Sequence, residues 1–262
     1  MEYLGYFASV LIGISLGLIG GGGSILTIPI LVYLFQVNPK LATSYSLFIV
    51  GFTSAFGAFR HHKLGNIKLK SAILFAVPSL VTLLFIRKII LPITPENILK
   101  INGFLLTKDI FIMAFFALLM IAASYSMIKK RKVAEITTET KPLKVIFIGA
   151  LVGIITGFLG AGGGFLIIPA LIFFTEISMK QAVGTSLLII AFNSIFGFLG
   201  DLVNGIAIDY QFLFTVASFA TLGIFIGTVL SKKIDGNKLK PAFGWFVLVM
   251  GIYIISKEFF LN

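Results

Sequence analysis

Gly20-Gly21-Gly22-Gly23-Ser24 stands inside an uncharged stretch of 37 residues, Tyr3 to Pro39. Each glycine costs a helix about 1 kcal/mol relative to alanine, so four in a row predict a break. The flanks are nevertheless apolar enough for a membrane. In hydrocarbon, irregular backbone survives only when buried in protein or lining a wet cavity, because unpaired N–H and C=O groups are costly there. Tyr3–Ile19 and Ile25–Gln36 are each short for a full crossing at about 1.5 Å per residue. The expected object is a helical hairpin that enters the bilayer and turns back at the glycines.

The motif occurs twice. A shift of 140 residues lays Gly13-Ile-Ser-Leu-Gly-Leu-Ile-Gly-Gly-Gly-Gly-Ser-Ile-Leu-Thr-Ile-Pro29 on Gly153-Ile-Ile-Thr-Gly-Phe-Leu-Gly-Ala-Gly-Gly-Gly-Phe-Leu-Ile-Ile-Pro169. Without a gap it also lays Ala42–Leu47 on Ala182–Leu187 and Phe52–Gly57 on Phe192–Gly197. From Leu11 to Gly65, 21 of 55 aligned positions are identical. Chance likeness between apolar segments does not hold one register through glycine, proline and serine alike, so the chain reads as an internal duplication.

Composition bounds the class. Of 262 residues, 58% are hydrophobic and 12% charged, about half the charge of a soluble domain. The formal net charge of +11 comes from bases in short loops between apolar runs, which is the pattern of membrane orientation signals rather than of nucleic-acid binding. There is no cysteine, which excludes disulfides and thiolate metal sites and leaves the redox compartment open. Met-Glu-Tyr at the start lacks a basic n-region, so the first helix is expected to be retained.

Uncharged runs place further spans at 41–59, 71–86, 110–128, 181–200, 210–231 and 241–256, with a second hairpin at 145–175. The segment Lys129–Lys144 holds six bases and two acids and reads as a linker. The fold class expected is therefore an all-α polytopic membrane protein with two inverted repeats. Each repeat would comprise a Gly-tipped helical hairpin plus three transmembrane helices. The first repeat takes residues 1–128, a basic cytoplasmic linker 129–144, and the second repeat 145–262. Inversion follows from charge. Arg60–Lys70 has four bases and no acid, whereas its counterpart Gly200–Tyr210 has two acids and no base, which puts them on opposite sides. Arg87, Lys88, Lys100 and Lys108 fit this scheme poorly, since they fall in a loop it assigns to the exterior.

Inverted repeats with broken helices place a substrate at the midplane. Here Gly21-Gly22-Gly23-Ser24 would face Ala161-Gly162-Gly163-Gly164, and half-helices opening there aim N–H groups and a positive dipole end at an anion. Ser24 is expected to act as an N-cap. Hydroxyls add donors without a buried base: Thr43, Ser44 and Ser46 with Thr185 and Ser186, and further along Thr53, Ser54, Asn193 and Ser194. Recurrence at matched positions favours Ser46 with Ser186 and Ser54 with Ser194. The expected substrate-binding set is Gly21, Gly22, Gly23, Ser24, Ser46, Ser54, Gly162, Gly163, Gly164, Thr185, Ser186 and Asn193. The same groups also serve helix packing or i−4 bonding in many membrane helices. No charged residue lies within an expected span; Asp109, Glu176, Asp201 and Asp209 are rim acids, and His61-His62 read as interfacial residues of a basic loop. There is no phosphate loop, metal motif or triad pattern, so neither enzyme activity nor a cofactor or metal is expected.

The doubled Gly-x-x-Gly-x-Gly-Gly-(Ser/Gly)-x-Leu-x-x-Pro, together with Ala182-Val-Gly-Thr-Ser-Leu187 and the turns near Gly65 and Gly205, resembles the sulfite exporter TauE/SafE family (the toluene sulfonate uptake permeases) over essentially the whole chain. The resemblance implies a small multi-pass permease of the cytoplasmic membrane for sulfur-containing anions such as sulfite, thiosulfate or organosulfonates. Its first repeat reads Ala-Thr-Ser-Tyr-Ser where the second reads Ala-Val-Gly-Thr-Ser. The substrate, the direction of transport and a coupling ion, proton or sodium, stay open. The partners implied are the anion and the lipid bilayer, with no nucleic acid. The alternatives are a cation channel or permease and, behind it, an intramembrane enzyme.

Overall fold

The structure is a computed structural model that describes residues 2–101, 104–128, 142–159, 164–175, 177–231 and 236–260. Helix α1 (Glu2–Ile19) runs into a 3₁₀ turn (Gly20–Leu26), a single α-turn α2 (Thr27–Pro29) and a wider π-turn (Ile30–Leu34). Then come α3 (Pro39–Lys63), α4 (Leu69–Phe85), a π-turn (Ile86–Ile90), the short α5 (Leu91–Ile93), strands β1 (Asn97–Ile101) and β2 (Phe104–Thr107), and α6 (Lys108–Ile128). The remaining helices are α7 (Pro142–Leu159), α8 (Gly164–Phe174), α9 (Met179–Val203), α10 (Tyr210–Leu230) and α11 (Gly236–Phe260). Among the described residues, six helices are long and apolar enough to cross a membrane: 39–63, 69–93, 108–125, 142–159, 179–203 and 210–230. The protein is an α-helical, multi-pass membrane protein.

Two departures from the sequence expectation stand out. A small antiparallel hairpin pairs Lys100 with Leu105 and Ile101 with Phe104, in the loop where no regular structure was expected. The helix beginning at Leu69 also does not end with the uncharged run at Ile86 but continues as helical turns to Ile93, which carries Arg87 into the protein. The linker's residues 129–141 lie outside the described residues, and Lys144 belongs to α7.

At the first glycine run α1 stops at Ile19, Gly20 takes φ +68°, and helical turns resume at once. The left-handed conformation is the one a glycine adopts without a Cβ penalty. The chain then doubles back along α1. A Cβ on Gly23 would lie 2.3 Å from the Leu16 nitrogen, and one on Gly5 would lie 2.5 Å from the ring of Phe35.

Packing is reciprocal. α1 lies against α10, and α7 against α4; α3 pairs with α9, α6 with α11, and α8 with the Gly20–Leu26 turn. Small residues make the first two contacts close. A Cβ on Gly13 would sit 1.8 Å from the Ala220 carbonyl oxygen, and one on Gly223 would sit 2.1 Å from that of Val10. On the other pair, a Cβ on Gly153 would meet the Ser79 oxygen at 2.1 Å. Without a hydrophobic drive between helices in lipid, such backbone approach is what holds them together.

α3 and α9 form the central pair. They start and end at positions 140 apart, and each is capped at its N-terminus by a side chain: Asn38 accepts from the Lys40 N–H, while Ser178 and Gln181 form a capping box. They run antiparallel. Ser44 lies beside Asp201, Leu47 beside Gly197, Gly51 beside Ser194, Gly57 beside Leu187 and His61 beside Gly184. Large apolar side chains such as Phe7, Ile73, Val81, Leu118 and Val249 point outward, as lipid contact requires.

Candidate functional site

The two glycine motifs meet. A Cβ on Gly21 would fall 2.2 Å from the carbonyl oxygen of Gly164, and one on Gly164 would fall 2.3 Å from the Gly21 Cα. α8 is described from Gly164 onward. A Cβ on Gly20 would lie 3.1 Å from Ser186 Oγ, and one on Gly164 would lie 2.6 Å from Ile190, so the first turn nests on α9. Gly22 and Gly23 belong to the same turn, whereas Gly162 and Gly163 lie outside the described residues. Ser24 is not an N-cap. Because helical turns resume directly after Gly20, Ser24 sits inside them, and its hydroxyl donates to the Gly21 carbonyl at 2.8 Å.

The remaining predicted residues divide into three groups. Ser46, Ser54 and Asn193 are fully buried on α3 and α9, as are Thr53 and Ser194. Among the described residues, the oxygens of Ser46, Thr53, Ser54 and Ser194 and the Asn193 carbonyl have no hydrogen-bond partner. The Asn193 amide does donate, to Ser79 Oγ at 2.7 Å. A buried polar group left unpaired costs about 1–3 kcal/mol, so several of them on these two helices ask for an explanation. Ser186 spends its hydroxyl on the Val183 carbonyl at 2.9 Å. Thr185 is used differently from expectation. Its hydroxyl accepts the N–H of Lys68, just ahead of α4, at 3.0 Å, and at the matched position Tyr45 accepts that of Asp209, ahead of α10, at 2.8 Å.

Sequence reasoning missed the charge at the other end of the seam. Arg87, read as a base of an exterior loop, and Asp201, read as a rim acid, are both buried, 3% exposed each. Arg87 Nε donates to Asp201 Oδ1 at 2.7 Å, and Nη2 completes the fork on Oδ2. Ser44 Oγ donates to Asp201 Oδ2 at 2.6 Å while accepting from Arg87 Nη2 at 3.0 Å. Thr43 Oγ1 lies 3.4 Å from the same nitrogen. Arg87 Nη1 reaches the Gly157 carbonyl at 3.1 Å, in the last turn of α7, where a cation is favoured by the helix dipole. Thr43 and Ser44 thus serve an ion pair rather than a neutral anion site. Only the lone charges at the ends of two apolar runs hinted at it.

The opposite end of the seam holds His61, where the shifted register places Asp201. It is 5% exposed inside the last turn of α3, not in an interfacial loop, and among the described residues neither ring nitrogen has a partner. His62 is exposed. A Cβ on Gly184 would meet the Asn66 oxygen at 2.5 Å, so the loop after α3 closes tightly here. Next to it lies a cavity of about 420 Å³ lined by Lys68, Lys70, Ser71, Pro142 and Thr175. A recess of about 430 Å³ between Phe59, Leu188, Phe192 and Phe196 is apolar apart from His62 and offers nothing to an anion. Of the other rim acids, Asp209 caps α10, accepting from the Phe212 N–H, and Asp109 accepts from Asn38. Glu176 lies outside the described residues. No group of three or more His, Cys, Asp or Glu that could hold a metal occurs among the described residues.

Broken helices packed tip to tip in an α-helical multi-pass bundle, with buried hydroxyls and an ion pair along the central seam, define a membrane transporter. The chain belongs to the sulfite exporter TauE/SafE family, whose model matches residues 6–254. It is 33% identical over 256 residues to a probable membrane transporter protein of Xylella fastidiosa, covering 95% of this chain and 92% of that one. Similar proteins, each also named as a probable membrane transporter protein, occur in Bacillus subtilis (28% over 245 residues, 94% and 96% covered) and Methanocaldococcus jannaschii (27% over 259 residues, 94% and 92% covered). No solved structure matches the chain.

Proposed function

We propose that the protein carries small sulfur-containing oxyanions, such as sulfite, thiosulfate or organosulfonates, across the cytoplasmic membrane. The observation that carries this reading is the set of buried oxygens at Ser46, Thr53, Ser54, Asn193 and Ser194 on α3 and α9 that have no partner among the described residues. The four hydroxyls among them can turn donors toward an oxyanion, while the Asn193 amide is already given to Ser79 Oγ. The glycine tips complete the site: in the closed arrangement Gly21 covers Gly164, and parting them would free backbone N–H groups at the head of α8 for the anion.

Two inverted repeats related by a pseudo-two-fold through the middle of α3 and α9 account for the reciprocal packing and the antiparallel seam. In that arrangement the glycine hairpins enter from opposite faces and the four-base loop Arg60–Lys70 is cytoplasmic. Two of the four bases that fit poorly then carry little topological weight. Arg87 is neutralised by Asp201, and Lys108 is buried against the carbonyls of Leu91 and Thr94. Proteoliposome flux of labelled sulfite, measured beside sodium and potassium, tests the function. Sulfite flux is expected, and cation flux without it would overturn the reading.

A further inference from the structure

Resting on that transport reading, we propose that Arg87 is an anion-binding residue and Asp201 its internal substitute, so that each oxyanion seated on Arg87 sends a proton to Asp201. A guanidinium fork presents two parallel N–H groups to two oxygens of one acceptor. In the structure both go to the Asp201 carboxylate, which has the same two-oxygen edge that a sulfite or sulfonate presents. The substrate and Asp201 therefore compete for one fork, and Ser44, which now donates to Asp201 Oδ2, is placed to serve whichever oxygen occupies it.

Displacement leaves a carboxylate inside a membrane protein. Among the described residues, the elements packed against α9 offer it no second cation. On α3, Lys40 is held by Glu96 at 3.1 Å, Tyr45 accepts from the Asp209 N–H, and Arg60, His61, His62 and Lys63 stand at the far end, roughly 25 Å along the helix. On α4, Lys70 is at the far end, and on the following π-turn Lys88 is exposed. The Gly20–Leu26 turn and α8 carry no titratable group. An uncompensated buried charge is strongly unfavourable, and acids in membrane proteins that lose a partner act as proton carriers. The step balances: the anion takes Arg87, a proton from water takes Asp201, and both are released when the pair re-forms.

The test uses the full chain in proteoliposomes with labelled sulfite and a trapped pH dye. Wild type is expected to accumulate sulfite several-fold down an imposed proton gradient, to move protons with sulfite, and to ignore a sodium gradient. Asp201→Asn, a permanent mimic of the protonated carboxyl, is expected to lose gradient-driven accumulation, and the sulfite exchange that remains is expected to proceed without proton movement. Arg87→Lys is expected to weaken sulfite binding by an order of magnitude or more. Should Asp201→Asn fail to fold, Asp201→Glu keeps a displaced carboxyl, and its transport pH profile should shift; an unchanged profile overturns the proposal. Accumulation that survives in Asp201→Asn, or that follows sodium, also overturns it and leaves the transport reading standing. Absence of sulfite counterflow in wild type removes both.

Discussion

Gly21 and Gly164, 143 positions apart in the chain, touch through their backbones: a Cβ on the first would lie 2.2 Å from the carbonyl oxygen of the second. The contact joins the two glycine motifs without any side chain, and no other residue type permits that approach. Gly21→Leu and Gly164→Leu are therefore expected to abolish sulfite transport. Gly13→Leu, where a Cβ already meets the Ala220 carbonyl, should instead lower the yield of folded protein. Flux per milligram and size-exclusion profiles of the variants separate the two effects. Normal flux in the tip variants would show that the tips stand apart from the path.

The Arg87–Asp201 pair makes a separate prediction about stability. Removing one partner of a buried pair leaves the other charge uncompensated, at about 3–5 kcal/mol. Arg87→Ala and Asp201→Ala should each lower the unfolding temperature in detergent strongly, and the double variant should be more stable than their sum implies. Additive losses in that cycle would mean that the two side chains are not coupled.

Topology can be read directly, because the chain has no cysteine of its own. A cysteine at Lys63 is expected to react with an impermeant reagent only from the cytoplasmic side, and one at Asn204 only from outside. Lys63 is the last residue of α3, and Asn204 directly follows α9. Labelling of both from the same face would replace inversion by a parallel duplication.

The hydroxyl seam predicts which substitutions alter affinity. A hydrogen bond to a charged group contributes about 1.5–3 kcal/mol, so Ser46→Ala and Ser54→Ala should each weaken sulfite binding several-fold or more. Arg60→Ala, at a half-buried position, and Lys63→Ala, at an exposed one, should change it far less. Calorimetry or sulfite-dependent thermal shift measures both sets. Loss of binding on removing only the loop bases would move the site to the rim.

The membrane class, the helical content and the position of most spans were legible in the sequence, because burial in lipid imposes long apolar runs whatever the neighbours are. The repeated glycine run likewise declared a break, since four glycines oppose a helix locally. Side-chain partners were not legible in the same way. Ser44 looked like a donor for an anion and proves to bridge Arg87 and Asp201. Thr185 looked like another and instead receives the Lys68 N–H. Ser24 looked like a cap and turns inward to Gly21. Arg87 seemed to close a span, yet the helix runs on past it, and a carboxylate 114 residues away makes its burial tolerable. Periodicity and composition report what one segment needs from its solvent. Which hydroxyl meets which charge depends on how α3, α4, α7 and α9 cross, and that is decided only when glycine-lined faces bring four separate stretches of chain into contact.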